Sequence, residues 1–279
     1  MVRLKRGRYL IFAAFFTSLL LLQEVVYLLN AGEPPVIGNG RKEMAPIPAG
    51  EFIMGMKDDD PLGLVWTTPQ RKVFLPAYYI DKYEVTNRGY KKFVDATGRK
   101  APFDERYDTI YNWKDGKYHE NLDDHPVALV DWHDADAYCR WVGKRLLTEE
   151  EWEKAARGTD GRLWPWGNKF DKFKANTVDF GVKMTMPVGS FPDGASPYGV
   201  MDMAGNVFEW TDSWYKAYPG SKRIHPDYGE KYRVTRGGAW TSSAGIYAYT
   251  MSRIAQPSDY KHRSIGFRCA MSEGKNGND

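Results

Sequence analysis

"HPVALVDWHDADAYCRWVGKRLLTEEEWEKAARG", residues 125–158, decides how this chain is read. Asp131 can cap a helix in which Ala135, Tyr138 and Trp141 or Val142 recur at helical spacing before Gly143. Thr148 with Glu151 three places later makes a capping box, and Gly158 stops the helix that follows. Upstream, Thr86 can cap a third helix carrying Tyr90, Phe93 and Val94 on one face, with Gly98 as its stop. Around these lie short β-type stretches: "EFIMG" (51–55), "VFLPAYYID" (73–81) and "GFRCAM" (266–271). The pattern is α+β with much loop.

The 279 residues, 42% hydrophobic and 27% charged, suit one large globular domain plus a short extra segment. Ten Trp, eighteen Tyr and thirteen Phe among 27 Gly and 16 Pro favour aromatic-stapled loops over long helices. The extra segment is N-terminal. Arg3, Lys5, Arg6 and Arg8 precede an apolar run from Tyr9 to Leu22, which resumes from Val25 to Leu29 after Gln23 and Glu24. Counted through the interruption it approaches the roughly 20 residues that cross a bilayer as a helix. A cleaved signal peptide and an uncleaved signal anchor compete here. No small-x-small site is evident near "YLLNAGEPP", so the reading adopted is an anchor over 1–29, with a basic cytoplasmic flank and an extracytoplasmic, periplasmic domain. Residues 30–44 read as a Gly- and Pro-rich linker, 45–271 as the domain, and 272–279 as a disordered tail.

Formal net charge is +3, and setting aside the four cations before the apolar run leaves −1 for the remainder. Nucleic acid is thereby excluded as an expected partner, since it calls for a concentrated basic face. Of two cysteines, Cys139 and Cys269, neither has CxxC spacing; a single disulfide and a pair of buried thiols both remain open. Ser242 and Ser243 lack a recognisable base partner, which argues against a hydrolase nucleophile. The run "KDDDP" at 57–61 reads as a solvated loop.

Read in order, "IPAGEFIMG", "YYIDKYEVTNRGYKKFV", the 125–158 stretch, "WPWGN", "YGVMDMAGNVFEWTDSWY", "RGGAW" and "IGFRCA" resemble the sulfatase-modifying factor family of formylglycine-generating enzymes, from about Ala45 to Met271. The resemblance implies a loop-rich, C-type-lectin-like domain. Catalytic members carry a pair of copper-binding thiols after the RGG motif. Here the matching positions are Ser242 and Tyr247, and Ala239 replaces a serine inside the motif. Copper(I) prefers soft thiolates, so no copper is expected and catalytic residues are none. Cys139 and Cys269 match a pair that forms a structural disulfide in exported members.

The resemblance also implies Ca²⁺. In "DMAGNVFEW", Asp202 and Glu209 would supply carboxylates and Gly205 and Val207 carbonyls; Asn176, Thr177 and Asp179 would make a second, shortened site. Trp240, Ser242, Tyr247 and Tyr249 are the candidate binding cleft, with Trp240 leaning to core. His125, in the scaffold motif "HPV", reads as structural, and His262 as exposed; His133 and the His225–Asp227 neighbours complete the metal candidates considered. The expectation is a non-catalytic, membrane-anchored binding protein with a protein partner, an accessory subunit of a membrane complex. The alternative is an oxidoreductase of the same family with altered chemistry.

Overall fold

A computed structural model describes residues 43–107 and 109–274. The expected anchor, nearly all of the linker and the end of the tail lie outside these residues. No helix among the described residues is long and apolar enough to cross a membrane.

The three helices stand where their caps predict. Helix α1 (Asn87–Thr97) starts under Thr86, whose hydroxyl accepts from the Gly89 amide, and ends at Gly98 with φ 68°. Helix α2 (Trp132–Trp141) has a full capping box, Asp131 with Asp134, and α3 (Glu149–Arg157) has another, Thr148 with Glu151. Each box satisfies two amides that helix geometry leaves without internal partners.

The strands, in chain order, are β1 (Met44–Ile47), β2 (Gly50–Met54), β3 (Arg71–Leu75), β4 (Tyr78–Asp81), β5 (Arg145–Leu146), β6 (Phe208–Trp214), β7 (Arg233–Arg236), β8 (Arg253–Gln256), β9 (Ile265–Gly266) and β10 (Cys269–Ser272). They form a four-stranded sheet β1-β4-β10-β5, a hairpin-like pair β2-β3, and a second four-stranded sheet β8-β7-β6-β9. Ser272, read as the start of the tail, completes β10 opposite Tyr78.

One core gathers α1, α2 and the second sheet around Tyr90, Phe93, Ala135, Trp210 and Phe267. Another seats Trp152, Ala155 and Ala156 of α3 against Ile47, Tyr78 and Ile80 of the first sheet. Cys139 of α2 and Cys269 of β10 are disulfide-bonded, Cα–Cα 5.6 Å, which joins the helix to the strand pairing with β4 and β5. Glu149, Glu153 and Arg157 of α3 are also buried. Glu153 meets Arg236 at 2.7 Å and Arg157 at 2.9 Å, and Glu149 meets Arg253 at 2.8 Å, so ion pairs fasten α3 to β7 and β8.

Candidate functional site

Arg236, at the end of β7, leads into the glycine pair. Gly238 has φ 73°, and a Cβ there would come within 3.1 Å of Ala248, so the chain turns back on itself only because both side chains are minimal. The next residues close a tight turn. The Ala239 amide donates to Ser242 Oγ at 2.8 Å, and that hydroxyl donates to the Ala239 carbonyl at 3.0 Å. Ser242 is thus buried and committed to the backbone. Ser243 Oγ accepts from the Gly245 amide at 3.3 Å. Neither hydroxyl has a carboxylate or imidazole hydrogen-bond partner among the described residues, so neither has a base to activate it.

The cleft expected from four residues reduces to one of them. Trp240 is buried against Tyr111 and Leu129, with the Arg263 guanidinium 5.3 Å from its ring centroid; Tyr249 is buried with its centroid 4.9 Å from that of Trp164. These rings pack because other segments supply apolar partners, residues 111–129 for Trp240 and Met56, Leu64 and Trp164 for Tyr249. Tyr247 alone stays exposed, at 40%, its ring edge-on to Phe208. It lines a cavity of about 260 Å³ with Trp66, Tyr215, Asp227, Ile246 and Arg253. Sequence reasoning missed Trp66, Tyr215 and Arg253: Trp66 and Tyr215 come from segments far from Tyr247 along the chain, and Arg253, six residues on, is brought back to the cavity by β8.

No free cysteine is present among the described residues, since Cys139 and Cys269 are bonded to each other. Ser242 and Tyr247, the positions at which the resemblance expects thiols, present a hydroxyl held in a turn and a phenol. These hard oxygen donors do not fit copper(I).

The segments expected to hold calcium do come together. Gly205 has φ 84° and lies so close to Asn176 that a Cβ would sit 2.4 Å from its carbonyl oxygen. That close approach lets the Asn206 amide donate to the Asn176 carbonyl at 2.8 Å. Asn206 Nδ2 donates to Glu84 at 2.7 Å, and Asn176 Nδ2 donates to Asn206 Oδ1 at 3.2 Å. Asp202 accepts from the Gly189 amide at 2.6 Å. Glu209 receives the Arg268 guanidinium on both oxygens, at 2.7 Å each, and the Trp152 indole at 2.8 Å. Glu84, Asp202 and Glu209 are all buried, with Arg268 as the cation that acts on all three. Burial, and then the neighbouring carboxylates, push Glu84 well above the usual carboxylate range; burial chiefly pushes Asp202 up to about 6.

Among the described residues no three or more His, Cys, Asp or Glu side chains are arranged to hold a metal ion. A cation there would therefore rest on carbonyls beside one or two carboxylates. Two observations fit a hard cation: three buried carboxylates against one guanidinium, and the buried Asn176 Oδ1, which has no hydrogen-bond partner. Asp179, from the second expected set, uses one oxygen for the Ala244 amide at 2.8 Å and the Thr177 hydroxyl at 3.3 Å. Glu84, Asn206 and Arg268 were not singled out from the sequence. Their signal was available: Glu84 in "YEVTN" and Arg268 in "GFRCAM" are charges set among residues that read as buried.

The histidines assemble no centre. His125 is buried and bonds Thr185 Oγ1 at 2.9 Å, and burial lowers its pKa. His133 is exposed, and His225 lies 3.6 Å from Asp227 at the surface. His262, expected to be exposed, is half-buried, stacked on Tyr260 and edge-on to Tyr107, because neighbouring aromatic rings cover it.

Comparison with known proteins places this geometry. Residues 35–273 match the model of the sulfatase-modifying factor enzyme 1-like domain. The bovine formylglycine-generating enzyme is 32% identical, over 88% of this chain and 79% of its own length. The bovine inactive C-alpha-formylglycine-generating enzyme 2 is 33% identical, over 90% of this chain and 95% of its own length. Among solved structures, PvdO from Pseudomonas aeruginosa superposes with a TM-score of 0.69 at 28% identity, covering 82% of this chain and 94% of PvdO. With the family model matched over residues 35–273 and relatives 32–33% identical over most of both chains, the chain belongs to the sulfatase-modifying factor family of formylglycine-generating enzyme-like proteins.

Proposed function

We propose that this chain is a non-catalytic member of its family: a membrane-anchored, extracytoplasmic domain that binds a protein partner as an accessory subunit of a membrane complex. The observation that carries the reading is the state of the loop after Gly238. Ser242 serves as the internal brace of a turn, Tyr247 faces a cavity, and the two cysteines of the chain are consumed by a disulfide. The near-complete coverage of a bovine relative whose name marks it inactive supports the same conclusion. The anchor rests on the apolar run at 9–29 behind four basic residues, and the periplasmic location on that topology.

Ca²⁺ belongs to this proposal as a structural ion held by Asp202, Glu209 and the carbonyls of Gly205 and Val207, with the second set of Asn176, Thr177 and Asp179 as the weaker site. Loops on a stable core then carry the recognition surface, the C-type-lectin-like scaffold serving as the frame. Purification of the full chain in mild detergent tests the reading. Calcium, no redox metal and a stoichiometric partner are expected. Bound copper or iron with oxygen consumption would favour instead an oxidoreductase with altered chemistry, and a monodisperse chain running alone would remove the subunit role.

A further inference from the structure

Large apolar side chains exposed on this domain are not scattered evenly. Phe170, Phe173 and Val178 fall within nine residues, at 41%, 68% and 55% exposure. The loop carrying exposed Ile246 and Tyr247 is tied to the same segment, since the Val178 amide donates to the Ser242 carbonyl at 3.1 Å and the Ala244 amide to Asp179 at 2.8 Å. Lysines interleave the rings in "NKFDKFK", residues 168–174. Lys172 Nζ lies 5.1 Å from the Phe173 ring centroid, and Lys169, Lys172 and Lys174 take part in no ion pair among the described residues. Each of the two acids in the stretch accepts from a local backbone amide, Asp171 from Phe173 at 3.0 Å and Asp179, itself exposed, from Ala244 at 2.8 Å, so the three lysines outnumber the acids on this face.

We propose that this face, residues 168–180 with the 242–247 loop beside it, docks on an anionic phospholipid bilayer. Phenylalanine enters the headgroup boundary while lysine meets phosphate, a division of labour that suits a lipid surface. The cores of protein interfaces are instead depleted in lysine, which argues against a protein occupant. The chain outside the described residues points the same way. The fifteen-residue linker spans at most about 50 Å, so a domain anchored by 1–29 stays within reach of the bilayer. In that respect the inference rests on the proposed anchor.

The test is hydrogen exchange on the full chain in nanodiscs of phosphatidylcholine alone or with about a third phosphatidylglycerol. Amides of 168–180 are expected to exchange at least about threefold more slowly in the anionic discs, with the slowing reversed by about 0.5 M salt and abolished by Phe173→Asp with Lys172→Glu. These side chains are exposed, so the variant should melt with the parent. Equal exchange in both discs, slowing indifferent to the substitutions, or slowing only on addition of a second protein would overturn the proposal. A chain that fails to enter discs at all would sink the anchor. The same exchange comparison on vesicles of the two compositions would then read the face independently.

Discussion

Ser242 shows how one hydroxyl can hold a loop in its turn. Its hydroxyl both accepts from and donates to Ala239, which braces the turn and leaves no thiol at this position. Sulfur at 242 and 247 should restore affinity for copper(I). The Ser242→Cys, Tyr247→Cys variant, titrated with copper(I) against a chromophoric chelator, is expected to bind one equivalent where the parent binds none; equal binding by the parent would refute the account of the loop. Arg268 makes a second case. Its guanidinium lies on Glu209 with both groups fully buried. Arg268→Leu leaves that carboxylate without its cation, for an expected loss of about 3–5 kcal/mol in urea unfolding, and adding Glu209→Gln should recover part of it. A loss below about 1 kcal/mol would refute the ion pair as a major tie in this core.

At the scale of elements, the helices were legible and the strands only partly so. Caps are local: Thr86, Asp131 and Thr148 act on amides within three residues, and all three helices begin beside them. Thr148→Ala is expected to lower stability by about 1 kcal/mol, read as a shift of the urea midpoint at unchanged slope. Strand pairing is not local. "VFLPAYYID" is two strands, β3 ending at Leu75 and β4 starting at Tyr78, that belong to different sheets with Pro76 at the break. "GFRCAM" likewise divides between β9 and β10. The acidic face of α3 gave no hint of burial, because its partners Arg236 and Arg253 lie about eighty to a hundred residues away in sequence. The Cys139–Cys269 bridge spans 130 residues, and its replacement by two alanines should cost up to about 5 kcal/mol in the chain-entropy account, measurable as a drop in Tm.

For the whole molecule, the buried carboxyls of Glu84 and Asp202 link pH to stability. Asp202 is held up to about 6, so between roughly pH 4 and 6 the folded state keeps a proton that the unfolded chain has already released. Its contribution is therefore full below pH 4 and is lost as pH rises through 6, by up to about 3 kcal/mol. On the proposed reading, calcium would compete for the deprotonated form. The gain in Tm from calcium over chelator, measured by calorimetry, should be larger at pH 7.5 than at pH 5. No difference between calcium and chelator at pH 7.5 would count against calcium.

Motif order, helix caps and the absence of a thiol in the loop after the glycine pair were determined by the sequence alone, because each depends on residue identity or on neighbours a few positions apart. Which rings sank into the core, which face of the loop kept Tyr247 at a cavity, and which arginine met Glu209 were decided only by the tertiary structure. Those contacts join segments distant along the chain, and a buried charge becomes tolerable only once its partner is brought to it by folding.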